Sequence, residues 1–507
     1  MTSMSDRQLP SKQLWFFALN SFAFIFLGTR GLYEPDEGRY VAVAVRMVED
    51  NNWWLPRLHH GVPHLSKPPL TYWSLAGALE LFGFSEWALR IPNACAFVLT
   101  TLLVVQLAKR LAPGKELLAG IVYATSLLPS TAYQIITTDT LLTFFETLAV
   151  WGFVKQQFDK TSSRWNVAWT SLGFALAFLT KGPPGLLPAL ACAAFLLRFQ
   201  GWRALLKTLY GAGMWLFLAV GGSWYLAVLW AEPSAWDYWT HREIAGRLLD
   251  PAFRRNPGWW GLVEVYPPVL LAALLPWWPF ALRSWRRGKA EARSPGAPWD
   301  QARWFLWAWL GLPLLVFFAA QSRLPLYLLP LAVPGTLLLV RNLPANLLSS
   351  PKQRGWLAGW ALLLISLRGI TGFVLTERDG RRWAEQLKPL LPQVVDELVF
   401  VHRKPLYTLQ FYLGAECERV ELNELSKPFW EPAFRLPAQS LREELEEPLA
   451  DGFARVWLVE SQHVKAFLNE LERLGQTLYP LGTVPPFSLF LDLPKERFRA
   501  TRGSRAV

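Results

Sequence analysis

Glu34-Pro35-Asp36-Glu37-Gly38-Arg39-Tyr40 follows directly on an apolar run from Leu14 to about Leu32. The polar stretch it opens closes at Lys67-Pro68-Pro69-Leu70-Thr71-Tyr72-Trp73. Acids, bases and aromatics in this order, at the end of an apolar segment, suit the binding of a charged substrate at a membrane surface. The apolar run has no small-residue cleavage pattern and leads straight into tyrosine and acids, so it reads as a retained first span. The fold class then depends on whether the rest of the chain repeats this pattern of apolar run and polar connection.

It does. The 507 residues are 52% hydrophobic and only 18% charged, which is too apolar for an ordinary soluble multidomain enzyme. A spanning helix needs about 20 mostly apolar residues, and roughly eleven segments qualify. They are 14–32, 87–108, 116–134, 138–155, 166–180, 184–200, 208–231, 263–282, 303–320, 325–340 and 356–375. The run 70–84 is either a further span or an interfacial helix. The expected fold is therefore an α-helical polytopic membrane protein with about 11–13 transmembrane helices. Many of the 28 tryptophans stand near segment ends, where they anchor at the lipid–water interface.

The net charge of +12 raises the question of nucleic acid, but the basic residues fall between apolar runs. Alternate short loops carry them: Lys109, Arg110 and Lys115; Lys155, Lys160 and Arg164; Arg198, Arg203 and Lys207; Arg283, Arg286, Arg287 and Lys289; Arg341, Lys352 and Arg354. Such loops are cytoplasmic, and no nucleic-acid partner is expected. The connections on the other side hold almost no basic residues, and two longer loops, 33–86 and 232–262, fall there. Residues 1–375 thus read as the membrane domain with those two exoplasmic loops. The chain is expected to be an integral membrane protein.

Beyond residue 375 the composition changes to mixed charge, and an exoplasmic α/β domain is expected over 376–507. Strand-like runs at Leu398–His402, Val456–Glu460 and Phe487–Leu493 alternate with helix-like segments at Arg381–Leu391 and Ser461–Leu474. A basic tail at Arg497, Arg499, Arg502 and Arg505 closes it. No nucleotide-binding glycine pattern and no internal repeat is present. The three cysteines, Cys95, Cys192 and Cys417, are too far apart in sequence to suggest a disulfide framework or a Cys-x-x-Cys site.

Within the opening stretch, Pro35 suits the first position of a helix, with Asp36 and Glu37 in its first turn. Helical spacing brings Asp36 near Arg39 and Tyr40 on one face. The plain alternative is that two acids complement the helix dipole. Lys67, Lys181 in Leu179-Thr180-Lys181-Gly182-Pro183, and Arg323 in Ser322-Arg323-Leu324-Pro325 all fall on the predicted exoplasmic side. Charges in apolar surroundings usually line a cavity, although a single one is commonly a snorkelling side chain. Three together suit the phosphate of a lipid substrate. His59, His60 and His64 flank Gly61 and Pro63 and read as a polar loop. His241, Glu243 and Arg247 are candidate ligands or substrate contacts, with a solvated interfacial helix as the alternative.

These residues resemble the bacterial aminoarabinose transferase family, relatives of the protein O-mannosyltransferases among the GT-C integral-membrane glycosyltransferases. The likeness rests on Glu34 to Tyr40, Gly61 to Pro68, Tyr72-Trp73, Thr180-Lys181-Gly182-Pro183 and Leu324 to Pro330. It implies a bacterial inner or plasma membrane, and transfer of a sugar from a polyprenyl-phosphate carrier to an exoplasmic lipid, glycan or protein acceptor, with inversion. It implies Asp36 as the catalytic carboxylate supported by Arg39 and Tyr40. Lys67, Lys181 and Tyr327 would contact the donor phosphate, with Arg323 and Arg247 as further substrate contacts. A divalent metal is the one candidate cofactor, with His241 and Glu243 as its ligands. Ser66 stands where the family often has a glutamate that helps bind a metal. The order His241-Arg242-Glu243 also departs from the family's Glu-His pair. A transporter or flippase of a lipid-linked sugar is the competing reading, although such proteins commonly show paired halves.

Overall fold

The structure is a computed structural model that describes residues 16–18, 20–59, 62–159, 163–246, 254–283, 300–374, 376–422, 440–447 and 454–492. Arg247, His60 and the basic tail from Arg497 to Arg505 lie outside the described residues. The chain divides into two compact units. One comprises Met1–Thr29, Ser66–Ser74 and Leu89–Gly372; the other comprises Arg30–Leu65, Leu75–Ala88 and Phe373–Val507.

The first unit is helical, with a core that includes Val104, Tyr123, Val150, Phe195, Trp277, Phe305 and Leu337. Trp215, Trp230, Trp259 and Trp260 are exposed, as are Leu226 and Leu315. A surface this apolar is that of helices bathed in lipid. Glu86–Leu111 and Gln301–Ala319 are each long and apolar enough to cross a membrane. Trp202–Leu209 and Ala212–Gly221, bent by 44°, are a third if counted as one span. Among the described residues Thr138–Phe158, Arg164–Lys181 and Pro351–Thr371 are further unbroken helices of 18 residues or more, whereas several other apolar segments are interrupted. The segment 116–134 breaks at Ser126 into Glu116–Thr125 and Leu127–Ala132. Those at 184–200 and 325–340 begin as the 3-10 turns Pro183–Leu186 and Pro325–Leu331. Proline ends or tightens a helix because it lacks the amide proton, and neighbouring elements must then satisfy the freed carbonyls.

Thr138–Phe158 and Arg164–Lys181 form an antiparallel pair joined by a short loop. Two glycines let them approach closely. A Cβ on Gly173 would lie 2.4 Å from the Ala149 amide nitrogen, and one on Gly152 would lie 2.6 Å from that of Thr170. Small residues at such crossings are how helices pack in lipid. The antiparallel arrangement sets the start of the first helix beside the end of the second.

In the second unit, five strands form a sheet in the order β4-β3-β5-β7-β6. They are β3 (Glu397–Val401), β4 (Glu416–Val420), β5 (Arg455–Glu460), β6 (Tyr479–Val484) and β7 (Phe487–Asp492). β3 pairs in parallel with β4 and β5, and β7 runs antiparallel to β5 and β6. Alternation of side chains along a strand fills both faces. Leu398, Phe400, Val456 and Leu458 enter one core, and Val399, Val401, Trp457 and Val459 enter the other. Gly380–Leu387 packs on the first face and Val464–Arg473 on the second.

The loop that begins at Tyr33 joins this unit through long-range bonds. Glu34 N donates to Arg378 O at 2.8 Å, Gly380 N donates to Leu32 O at 2.9 Å, and Arg46 pairs with Glu416 at 2.9 Å. The short strands β1 (Arg57–His59) and β2 (Val62–Pro63) pair within the same loop.

Candidate active site

Asp36–Glu49 is a helix that starts one residue later than the proline suggested, with Pro35 as its cap. Its first turn sorts three neighbouring acids into different states. Glu37 is buried, and its two oxygens meet the Arg30 guanidinium at 2.7 Å each while Oε2 also accepts from Tyr33 N. Glu34 is buried as well, with Oε1 accepting from Thr408 N at 2.6 Å. Gly38 makes room for it, since a Cβ there would stand 2.5 Å from that oxygen. Asp36 is different: its side chain is 45% exposed and meets Arg39 Nη2 at 3.2 Å, while Tyr40 is buried. Of the three acids, Asp36 alone remains open to a partner from outside.

Burial pushes the Glu34 carboxyl up to about 7, an effect partly offset by its Thr408 hydrogen bonds and by Arg39. Its Oε2 is buried with no hydrogen-bond partner. A carboxyl raised above its unfolded value of 4.5 contributes stability that is fully present below that value. The contribution is lost as pH rises through about 7. Between pH 5 and 8 this group is expected to cost on the order of 2–3 kcal/mol. Glu34→Gln, compared with wild type in chemical denaturation across that range, should show a flatter pH profile. Identical slopes would show that Glu34 stays ionised.

In the helical unit, the antiparallel pair brings Asp139 and Lys181 together. Asp139 lies in the first turn of Thr138–Phe158, with Thr137 capping its amide, and Lys181 is the last residue of Arg164–Lys181. Each charge complements the dipole of its own helix end. Lys181 Nζ lies 2.5 Å from Asp139 Oδ1 and 4.3 Å from the centre of the Tyr327 ring. Gly182 turns the chain away at φ +73°, a conformation side chains rarely adopt. Asp139 is absent from the sequence reading, as is the buried Glu146 two turns on. The signal was available, because two acids inside an apolar span are costly there and mark a functional site.

The other candidates separate. Lys67 Nζ donates to its neighbour Ser66 O at 2.9 Å. Arg323 is 4% exposed and spends its guanidinium on backbone carbonyls: Asn256 O and Gly258 O at 3.0 Å and Phe318 O at 3.2 Å. That ties residues 256–258 to 318–323. His241 is exposed in the π-helical turn Tyr238–Gly246, with Nδ1 at 3.2 Å from Asp237 O, and Glu243 is half-buried in the same turn. Within each unit, then, the structure pairs Asp36 with Arg39, and Lys181 with Tyr327.

Residues 66–226 match the family described as Dolichyl-phosphate-mannose-protein mannosyltransferase. The chain is 28% identical over 371 residues to the Undecaprenyl phosphate-alpha-4-amino-4-deoxy-L-arabinose arabinosyl transferase 2 of Pseudomonas fluorescens. That match covers 72% of this chain and 65% of the relative. It is 32% identical over 346 residues to the Undecaprenyl phosphate-alpha-4-amino-4-deoxy-L-arabinose arabinosyl transferase of Pseudomonas aeruginosa, covering 66% and 60%. The chain therefore spans less than two thirds of the length of these curated relatives. Its fold is similar to that of ArnT from Cupriavidus metallidurans, in a crystal structure bound to undecaprenyl phosphate. The TM-score is 0.72 at 18% identity, covering 95% of this chain and 98% of that one. The fold is thus that of a GT-C-like membrane protein carrying a sheet domain, and the family resemblance read from the motifs is borne out.

Proposed function

We infer that this chain, which resembles the aminoarabinose transferases in sequence and fold, is an inverting membrane glycosyltransferase. It moves a sugar from a polyprenyl-phosphate carrier to an acceptor on the exoplasmic side. The observation that carries the reading is the half-exposed Asp36 beside two consumed acids, in a chain with the fold of a protein crystallised with undecaprenyl phosphate. The alternating Lys and Arg loops support the exoplasmic placement.

In this reading the acceptor hydroxyl attacks the anomeric carbon as Asp36 takes its proton. The bond from that carbon to the phosphate oxygen breaks, and the polyprenyl phosphate leaves with the electron pair. Arg39 holds the carboxylate through its contact at 3.2 Å. Within the helical unit, Lys181 backed by the Tyr327 face is the cation suited to a phosphate. One displacement inverts the anomeric centre. The acceptor is a lipid, glycan or protein.

Mass spectrometry of lipid-linked sugars in cells with and without the gene tests this. Cells lacking it should accumulate one polyprenyl-phosphate sugar and lose one glycosylated envelope product. Unchanged pools of both would overturn the reading. Movement of donor across vesicles by the purified chain, with no acceptor present, would replace it with a transporter.

A further inference from the structure

Among the described residues, a histidine and two carboxylates from distant parts of the second unit present donor atoms to a single point. Glu416 and Glu418 are two apart on β4, an edge strand of the sheet, and so share a face. β1 lies beside β4 and brings in His59, whose ring packs edge-on against Tyr407 with centroids 6.0 Å apart. His59 Nδ1 stands 3.6 Å from Glu416 Oε1 and 3.8 Å from Glu418 Oε1. One ligand atom from each residue lies within 4.8 Å of the others.

These separations are too long for hydrogen bonds. His59 Nδ1 and Glu418 Oε2 are both buried with no hydrogen-bond partner. Two nearby guanidinium groups are held by other oxygens. Arg46 Nη2 holds the other oxygen of Glu416 at 2.9 Å, and Arg455 Nε meets Glu397 at 2.5 Å and Glu444 at 3.0 Å. Glu418, 8% exposed, is left facing His59 and its fellow carboxylates. Donors spaced as these are can close on one ion at about 2.0–2.2 Å with small side-chain rotations.

We propose that His59, Glu416 and Glu418 bind one divalent transition-metal ion of the zinc class, which clamps the β1–β2 hairpin to the edge strand β4. An imidazole nitrogen with two carboxylates suits zinc and excludes magnesium as the preferred ion. His241 and Glu243 are not among these ligands and belong to the helical unit.

The test uses the full-length protein in detergent, stripped with chelator and titrated with zinc chloride by calorimetry, with elemental analysis of the product. One zinc per chain is expected, with an accompanying rise in melting temperature. His59→Ala and Glu418→Gln should each weaken binding by more than the roughly 10–100-fold typical of losing an outer-shell partner. His241→Ala should bind as wild type does. Glu418→Gln removes a buried charge, so without zinc it should melt no lower than wild type, and zinc should no longer raise its melting temperature. Absence of zinc uptake overturns the proposal and leaves a proton shared with Glu444 as the account of Glu418. Uptake unchanged in Glu418→Gln, uptake lost in His241→Ala, or equal affinity for magnesium overturns it too.

Discussion

Asp36→Asn is expected to lower sugar transfer by about 10²–10⁴-fold, the range that a positioned general base supplies. Asparagine fills the same volume but takes no proton. The side chain it replaces is half-exposed, and its contact with Arg39 joins two groups that are 36% and 45% exposed. An ion pair of that kind contributes about 0–1 kcal/mol, so the variant should fold and insert normally. Neither neighbouring acid can stand in. Glu37 is held by Arg30, and Glu34 is turned into the Thr408 backbone. The assay is transfer from a polyprenyl-phosphate sugar by purified protein, with donor binding measured alongside. The expected split is a collapse of kcat with donor affinity retained. Transfer within twofold of wild type would remove Asp36 from the mechanism.

How much of this was legible in the sequence depended on range. Spacing three residues apart on a helix was enough to pair Asp36 with Arg39, because that geometry is local. Three of the five sheet strands announced themselves as short apolar runs of Val, Leu and Phe. β4 did not, since Glu416, Glu418 and Arg419 make it read as polar, and β6 contains Pro480 and Gly482, which only an edge strand tolerates well. The contacts that join residues 30–65 to the C-terminal sheet were beyond reach, because Arg46 and Glu416 are 370 residues apart. Lys181 and Arg323 looked alike as isolated cations near prolines. They differ only in what the fold sets around them: an acid and a ring for one, three carbonyls for the other.

Lys181 therefore has two candidate roles, neutralising Asp139 and receiving the donor phosphate, and two variants separate them. Lys181→Met leaves Asp139, 5% exposed, without that cation. Removing one partner of a buried pair costs about 3–5 kcal/mol, so this variant should melt well below wild type. Lys181→Met with Asp139→Asn removes both charges and should recover most of that loss, because a neutral pair of similar shape carries no desolvation penalty. If neutralising Asp139 is the whole role, the double variant will bind polyprenyl phosphate as wild type does. If Lys181 donates to the phosphate, the double variant will fold yet bind it more weakly by about 10–100-fold, the equivalent of one lost hydrogen bond to a charged group. The second outcome is expected. A phosphate entering this site would take over the lysine from Asp139, and the Tyr327 ring 4.3 Å away would hold the ammonium in place during the exchange. Asp139 would then be the resting counter-ion of Lys181, which explains a buried acid in an apolar helix.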